Sequence, residues 1–181
     1  MQIYHANSCH WVTFTSIGCE VLVYDSMFMG GKLSASLQVQ LATVYKLWIE
    51  VSLDGDHTLL PVIMPSVQQQ RGYRSWSLCH CFAFHAARGD DLTQIWFHQD
   101  KLREHLTMCF RNKHFTPFPH SRLVKGYRED HPLDHVVHLH CNCDMPEAHD
   151  NMVTWDACQQ WFHVRRLCRI SATSEVIQLV F

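Results

Sequence analysis

Net charge is almost missing from this sequence: 15 lysines and arginines stand against 17 aspartates and glutamates, a formal balance of -2. That balance removes the electrostatic footprint of a general nucleic-acid binder, so no direct nucleic-acid partner is expected, the short stretch "HVRRLCRI" being a local exception. No apolar run approaches the roughly 18 residues a membrane-spanning helix needs, and no membrane partner is expected either. The opening "MQIYHANSCHWV" lacks a basic region followed by an apolar run, so no secretory signal is read there. An even set of cysteines is lacking too. Nine cysteines without a secretion signal fit thiols or metal ligands in a reducing, intracellular setting better than a disulfide framework. Internal repeats and low-complexity tracts are absent.

What is present suits a globular chain with one main core. Its 181 residues are 47% hydrophobic and 18% charged, enough to bury a sizeable interior. Of fifteen histidines, four crowd "HPLDHVVHLHCNC", where His131, His135, His138 and His140 precede two cysteines.

Alternation in "HWVTFTSIGCEVLVYDSM" predicts two strands joined by a turn at Gly18-Cys19. Ser36 is expected to cap a helix whose Leu37, Leu41, Val44 and Trp48 fall on one face. "LLPVIMPSV" reads as an extended segment limited by Pro61 and Pro65. Leu78, Phe82 and Ala86 have helical spacing, with "RGDD" ending that helix, and Leu102, Leu106, Cys109 and Phe110 mark a further amphipathic helix. "TPFPHS" is a boundary near residue 120. The expected division is a domain over 1 to 120, a linker over 121 to 137 and a small Cys/His-containing unit over 138 to 181.

His10 stands just before one strand and Asp25 at the end of its partner. A hairpin of this size brings both to one end of the sheet, where an aspartate holds an imidazole in the tautomer needed for general-base work. Gln69, a side-chain amide ahead of a helix N-terminus, is placed to donate to a developing oxyanion.

His-Trp on a strand, Tyr-Asp-Ser on the next, Gln-Gln, then a glycine before a helix containing Phe-Ala-Phe together resemble the ubiquitin-like protease family, and more narrowly its transposon-associated members. These are cysteine peptidases that process and deconjugate SUMO-type modifiers. The resemblance covers roughly residues 1 to 119, including "FHQDKLREHL" and "TPFP". It implies an α+β, papain-like fold, N-terminally truncated relative to the family. It also implies His10 as base, Asp25 as its orienter, Gln69 in the oxyanion hole and Trp11 in substrate binding. Anchored on Gly72 and Phe82 to Phe84, "GYRSW" aligns with the family's G-S-D-C-G and puts Ser75 in the nucleophile's position, with Arg74 and Trp76 replacing its neighbours. A hydroxyl is far harder to ionise than a thiol of pKa about 8.5, so impaired peptidase activity follows. Cys79, one helical turn further on, reads as a small buried hydrophobe.

"CNCDMPEAHDNMVTWDACQQWFH" is similar to the first half of a PHD finger, a zinc-stabilised module that often reads histone tails. The resemblance assigns Cys141, Cys143 and His163 to a first zinc site and Cys158 to a second, with Cys168 completing the first by a local shift. Trp155 and Arg166 occupy positions where ligands belong, so the expectation is a degenerate finger holding at most one zinc ion.

The expected partners are a ubiquitin-like modifier or its conjugates, and a histone tail. The expected location is intracellular, the nucleus before the cytoplasm. Three readings stay open: an impaired peptidase, a non-catalytic module binding modifier, zinc or chromatin, and a relic of a transposon-derived gene without activity.

Overall fold

In the computed structural model of the chain, the described residues are 1–7, 10–18, 20–28, 30–51, 58–72, 75–123, 133–139, 145–146, 152–155 and 160–163. Helix and strand occur in comparable shares, an α+β composition. The backbone divides into two units, one made of Met1–Gly31 with Val62–His135, the other of Lys32–Pro61 with Val136–Phe181.

The first unit grows from the expected hairpin. β2 (His10–Thr15) and β3 (Leu22–Tyr24) pair antiparallel with Thr13 opposite Tyr24, and Gly18 takes the positive φ of 88° that the turn demands and a Cβ would strain. A strand the sequence reading did not expect, β1 (Gln2–Asn7), pairs antiparallel with β2, Tyr4 opposite Val12. On the other side β3 meets the end of β5 (Thr58–Met64) in parallel, Leu22 opposite Ile63. β2 is buried on both faces, with Val12 and Phe14 on one and Thr13 and Thr15 on the other.

α2 (Ser75–Ala87) supplies the core. Leu78 and Phe82 bury their side chains with Leu102 and Leu106 of α3 (Leu102–Asn112) and with Phe118. The Phe82 ring lies 6.2 Å from Tyr24 and 5.9 Å from Phe97. α2 ends where expected, at "RGDD". Asp90 N–H bonds the His85 carbonyl and Gly89 N–H bonds that of Ala86, with Gly89 at φ 78°, a Schellman closure that favours glycine. A single 3-10 turn (Leu92–Gln94) leads into β6 (Ile95–Phe97), which pairs with β7 (His120–Arg122). Phe110, expected on the buried stripe of α3, is 59% exposed and packs edge-on to Phe115. Three apolar residues already fill that face, and Phe110 falls one position beyond it.

In the second unit α1 (Ala35–Val44) is capped by Ser34 rather than Ser36, its hydroxyl accepting from Leu37 N–H at 3.4 Å. Leu37 and Leu41 are buried as expected, but Tyr45 takes the next buried position, and Trp48 belongs to a separate 3-10 turn (Lys46–Trp48). β4 (Glu50–Val51) pairs antiparallel with the start of β5. β5 ends at Met64, just before Pro65 as expected, but it begins at Thr58 and runs through Pro61, which therefore does not limit it. β9 (Met152–Trp155) and β10 (Gln160–His163) form an antiparallel hairpin. A regular strand, β8 (Leu133–Leu139), occupies the stretch where the linker was expected to end. Val137 and Leu139 are buried while Val136 and His138 are exposed, the alternation of a strand rather than a linker. None of the described helices is long and apolar enough to cross a membrane.

Candidate active site

The hairpin places His10 at the start of β2 and Asp25 one residue past β3. By the strand register, Asp25 falls beside Val12, two positions along from His10, the diagonal placement at which long side chains meet. His10 Nε2 and Asp25 Oδ1 are 2.7 Å apart, with side chains only 10% and 12% exposed. Carboxylates accept and do not donate, so Nε2 is the donor of this bond. The other ring nitrogen, Nδ1, is buried and has no hydrogen-bond partner among the described residues. Asp25 Oδ1 also accepts the Met27 N–H at 2.7 Å, so the local turn fixes the carboxylate that in turn fixes the ring.

The glutamines attach to the same turn. Gln70 N–H bonds the Ser26 carbonyl at 2.9 Å, and the Ser26 hydroxyl donates to Gln70 Oε1 at 3.0 Å. The exposed Gln69 side chain donates from Nε2 to the Phe28 carbonyl at 3.3 Å. Gln69 is therefore bound to the loop that follows Asp25, with one amide N–H engaged by protein.

Ser75 is the first residue of α2 and is buried. One turn later, the Cys79 carbonyl accepts from the Thr13 hydroxyl at 3.0 Å, which holds this end of α2 on the strand that carries His10. Arg74 lies outside the described residues. Trp76 packs its half-buried indole against the core cluster and meets the His80 ring edge-on at 5.0 Å. Trp11 is half-buried and stacks on His5 with ring centroids 4.6 Å apart.

Cys79 is fully buried. Desolvation pushes its thiol up to about 12, the Thr13 hydroxyl opposing and the Asp25 carboxylate adding to that rise. Cys81, also buried, donates its thiol to the Ser77 carbonyl and is raised by burial and then by Cys79. Neither is a thiolate at neutral pH, so neither has the ionised form that a thiol nucleophile needs.

Of the expected zinc ligands, Cys141, Cys143, Cys158 and Cys168 lie outside the described residues. His163 is fully buried on β10, its Nε2 donating to the Pro146 carbonyl at 3.1 Å. A backbone carbonyl is a partner that orients imidazoles, metal-ligating ones included. Among the described residues there is no cluster of three or more metal-ligating side chains.

Two residues that sequence reasoning passed over shape this region. Gln68 is buried and pairs both amide groups with the backbone of Phe97. Gln99, also buried, bridges Gln69 and Arg71. Gln68 was visible only as part of a polar run, and nothing in "FHQD" distinguishes Gln99 from a surface glutamine.

Compared with known proteins, the chain matches no family model, no curated protein and no solved structure.

Proposed function

We propose that residues 1 to 120 form a papain-like domain of the ubiquitin-like protease type that engages ubiquitin-like modifiers or their conjugates, with peptide-bond hydrolysis impaired at Ser75. The observation that carries this reading is the 2.7 Å pair of His10 and Asp25. It stands in the H-W and Y-D-S motif positions, with the Gln69 segment bonded to the same turn. On this reading His10 is the base, oriented through its Nε2–H by Asp25, and the thiol that such a base serves in the family is replaced by the Ser75 hydroxyl. An imidazole forms an ion pair with a thiol of pKa about 8.5 far more readily than it deprotonates an alcohol, so turnover falls by orders of magnitude while the modifier-binding surface is retained.

The decisive experiment is the triple reversion Arg74→Asp, Ser75→Cys, Trp76→Gly, assayed with modifier-fused fluorogenic substrates. Hydrolysis by the reverted chain that is lost again on His10→Ala supports the reading. Absence of hydrolysis, together with absence of saturable calorimetric binding of ubiquitin and SUMO-type modifiers to the natural chain, overturns it.

For residues 138 to 181 the reading is a degenerate PHD-type unit holding one zinc ion through Cys141, Cys143, His163 and Cys168, with a histone tail as its partner class. Cys158 is left from the second site. The Pro146-directed Nε2–H of His163 supports it. Metal analysis of the purified chain tests it: one equivalent of zinc that His163→Ala removes is expected, and a metal-free folded chain refutes it. A nuclear location accords with both partner classes.

A further inference from the structure

Residues 68 to 71 cross from β5 to α2 without belonging to a helix or strand, yet their polar groups are tied down by side chains. Gln68 Nε2 donates to the Phe97 carbonyl at 3.0 Å, and its Oε1 accepts the Phe97 N–H at 2.7 Å. Gln99 Nε2 donates to the Gln69 carbonyl at 2.8 Å, and its Oε1 accepts the Arg71 N–H at 2.8 Å. One carboxamide spanning the carbonyl of one residue and the N–H of the next but one reproduces the bonding of a parallel strand partner. Gln99 thus acts as a one-residue strand beside Gln70. On the opposite side Gln70 is bonded to Ser26, next to Asp25.

The main chain that carries Gln69 is therefore held by Gln99 and, through Gln70, by the Ser26 turn, while the Gln69 amide itself donates to the Phe28 carbonyl. Buried at 7% exposure, Gln99 has both halves of its amide engaged by main chain, so neither the acid nor the methyl-bearing analogue reproduces it. We propose that Gln99 is a positioning residue for Gln69: it clamps the main chain of residues 69 to 71 so that the Gln69 carboxamide is presented to the oxyanion of a substrate acyl group at the start of α2. This inference rests on the peptidase reading for the oxyanion and on the hydrogen bonds alone for the clamp.

The test has two arms that separate these dependencies. On the natural sequence, Gln99→Ala is expected to speed amide exchange at Arg71 by roughly tenfold and to shift the Gln69 side-chain NH2 resonances. Gln99→Glu, which still accepts from Arg71 N–H but has no donor for the Gln69 carbonyl, is expected to leave Arg71 protected and move the Gln69 resonances alone. In the triply reverted chain, Gln99→Ala is expected to lower kcat by about tenfold with KM unchanged, and to add nothing in a Gln69→Ala background, because it acts through Gln69. Unchanged Arg71 exchange and Gln69 resonances overturn the clamp. Additive losses of kcat overturn positioning through Gln69, since a general loss of packing adds to the loss of the amide. A reverted chain that does not hydrolyse refutes the peptidase reading and with it the oxyanion role, while the first arm still decides the clamp.

Discussion

His10 and Asp25 are joined through a single carboxylate oxygen that also accepts the N–H of Met27, both at 2.7 Å. The aspartate is aimed by its own turn before it meets the imidazole. Asp25→Asn can keep its Oδ1 as acceptor for both donors, whereas Asp25→Ala removes the acceptor altogether. Nitrogen NMR of the natural chain is expected to show His10 protonated at Nε2 at neutral pH. Asp25→Asn should keep that tautomer, and Asp25→Ala should yield a mixture with about 1 to 2 kcal/mol lost stability. A dominant Nδ1–H form in the natural chain would falsify the arrangement.

Thr13 joins β2 to α2 through its hydroxyl, which is fully buried. Thr13→Val keeps the shape and removes the bond, at an expected cost of about 1 kcal/mol in urea denaturation with no change in the denaturant slope. Leu106→Ala, which empties a core position instead, is expected to cost roughly 2 to 5 kcal/mol. A Thr13→Val chain as stable as the natural one would show that α2 is held on the sheet by something other than this contact.

Thiol chemistry gives a third outcome. Burial keeps Cys79 protonated up to about 12, so a chloroacetamide probe or a modifier bearing a C-terminal electrophile should leave it unlabelled in the folded chain at pH 8. Denaturant should expose it to prompt reaction. A thiol whose folded-state value is raised contributes stability below its unfolded value and loses it as pH climbs. Unfolding midpoints are therefore expected to fall between pH 9 and about 12. Labelling of native Cys79 at neutral pH contradicts the burial.

His85 sets the acid side. It is almost wholly buried, with Nδ1 donating to Asp90 Oδ2 at 2.8 Å and Nε2 lacking a partner among the described residues. Burial lowers its pKa most. The Asp90 bond and charge oppose that, and the His120 ring 4.9 Å away and Arg88 reinforce it. The unfolded chain accepts a proton near the ordinary histidine value of about 6.5, while the folded chain resists it, so stability is complete above that pH and declines as pH falls. Melting curves from pH 8 to 5 should show that decline, and His85→Gln should flatten it. An unaltered slope in the variant would assign the acid sensitivity elsewhere.

The local pattern of residues determined much of this protein. Alternation over residues 10 to 24 specifies a hairpin, and the spacing of Leu78 and Phe82, and of Leu102 and Leu106, specifies two helices with one buried stripe each. Gly89 specifies where the first of them stops. His10 and Asp25 were legible as a pair because a short hairpin leaves few registers, and their sequence separation of 15 is closed by local structure. Local pattern also misled: Phe110 continued a helical period that the core did not need, and Ser36 stood near a cap that Ser34 provides.

Tertiary structure alone decided the rest. Gln68 and Phe97 are 29 residues apart and Gln99 and Arg71 are 28 apart, so their pairing depends on where β6 and α3 come to lie after the core has packed. A carboxamide reads the same on a surface as in a buried clamp until its neighbours are fixed. The same holds for the protonation of Cys79 and His85: sequence supplies the titrating group, and the low-dielectric surroundings that move its pKa exist only once the chain has folded around it.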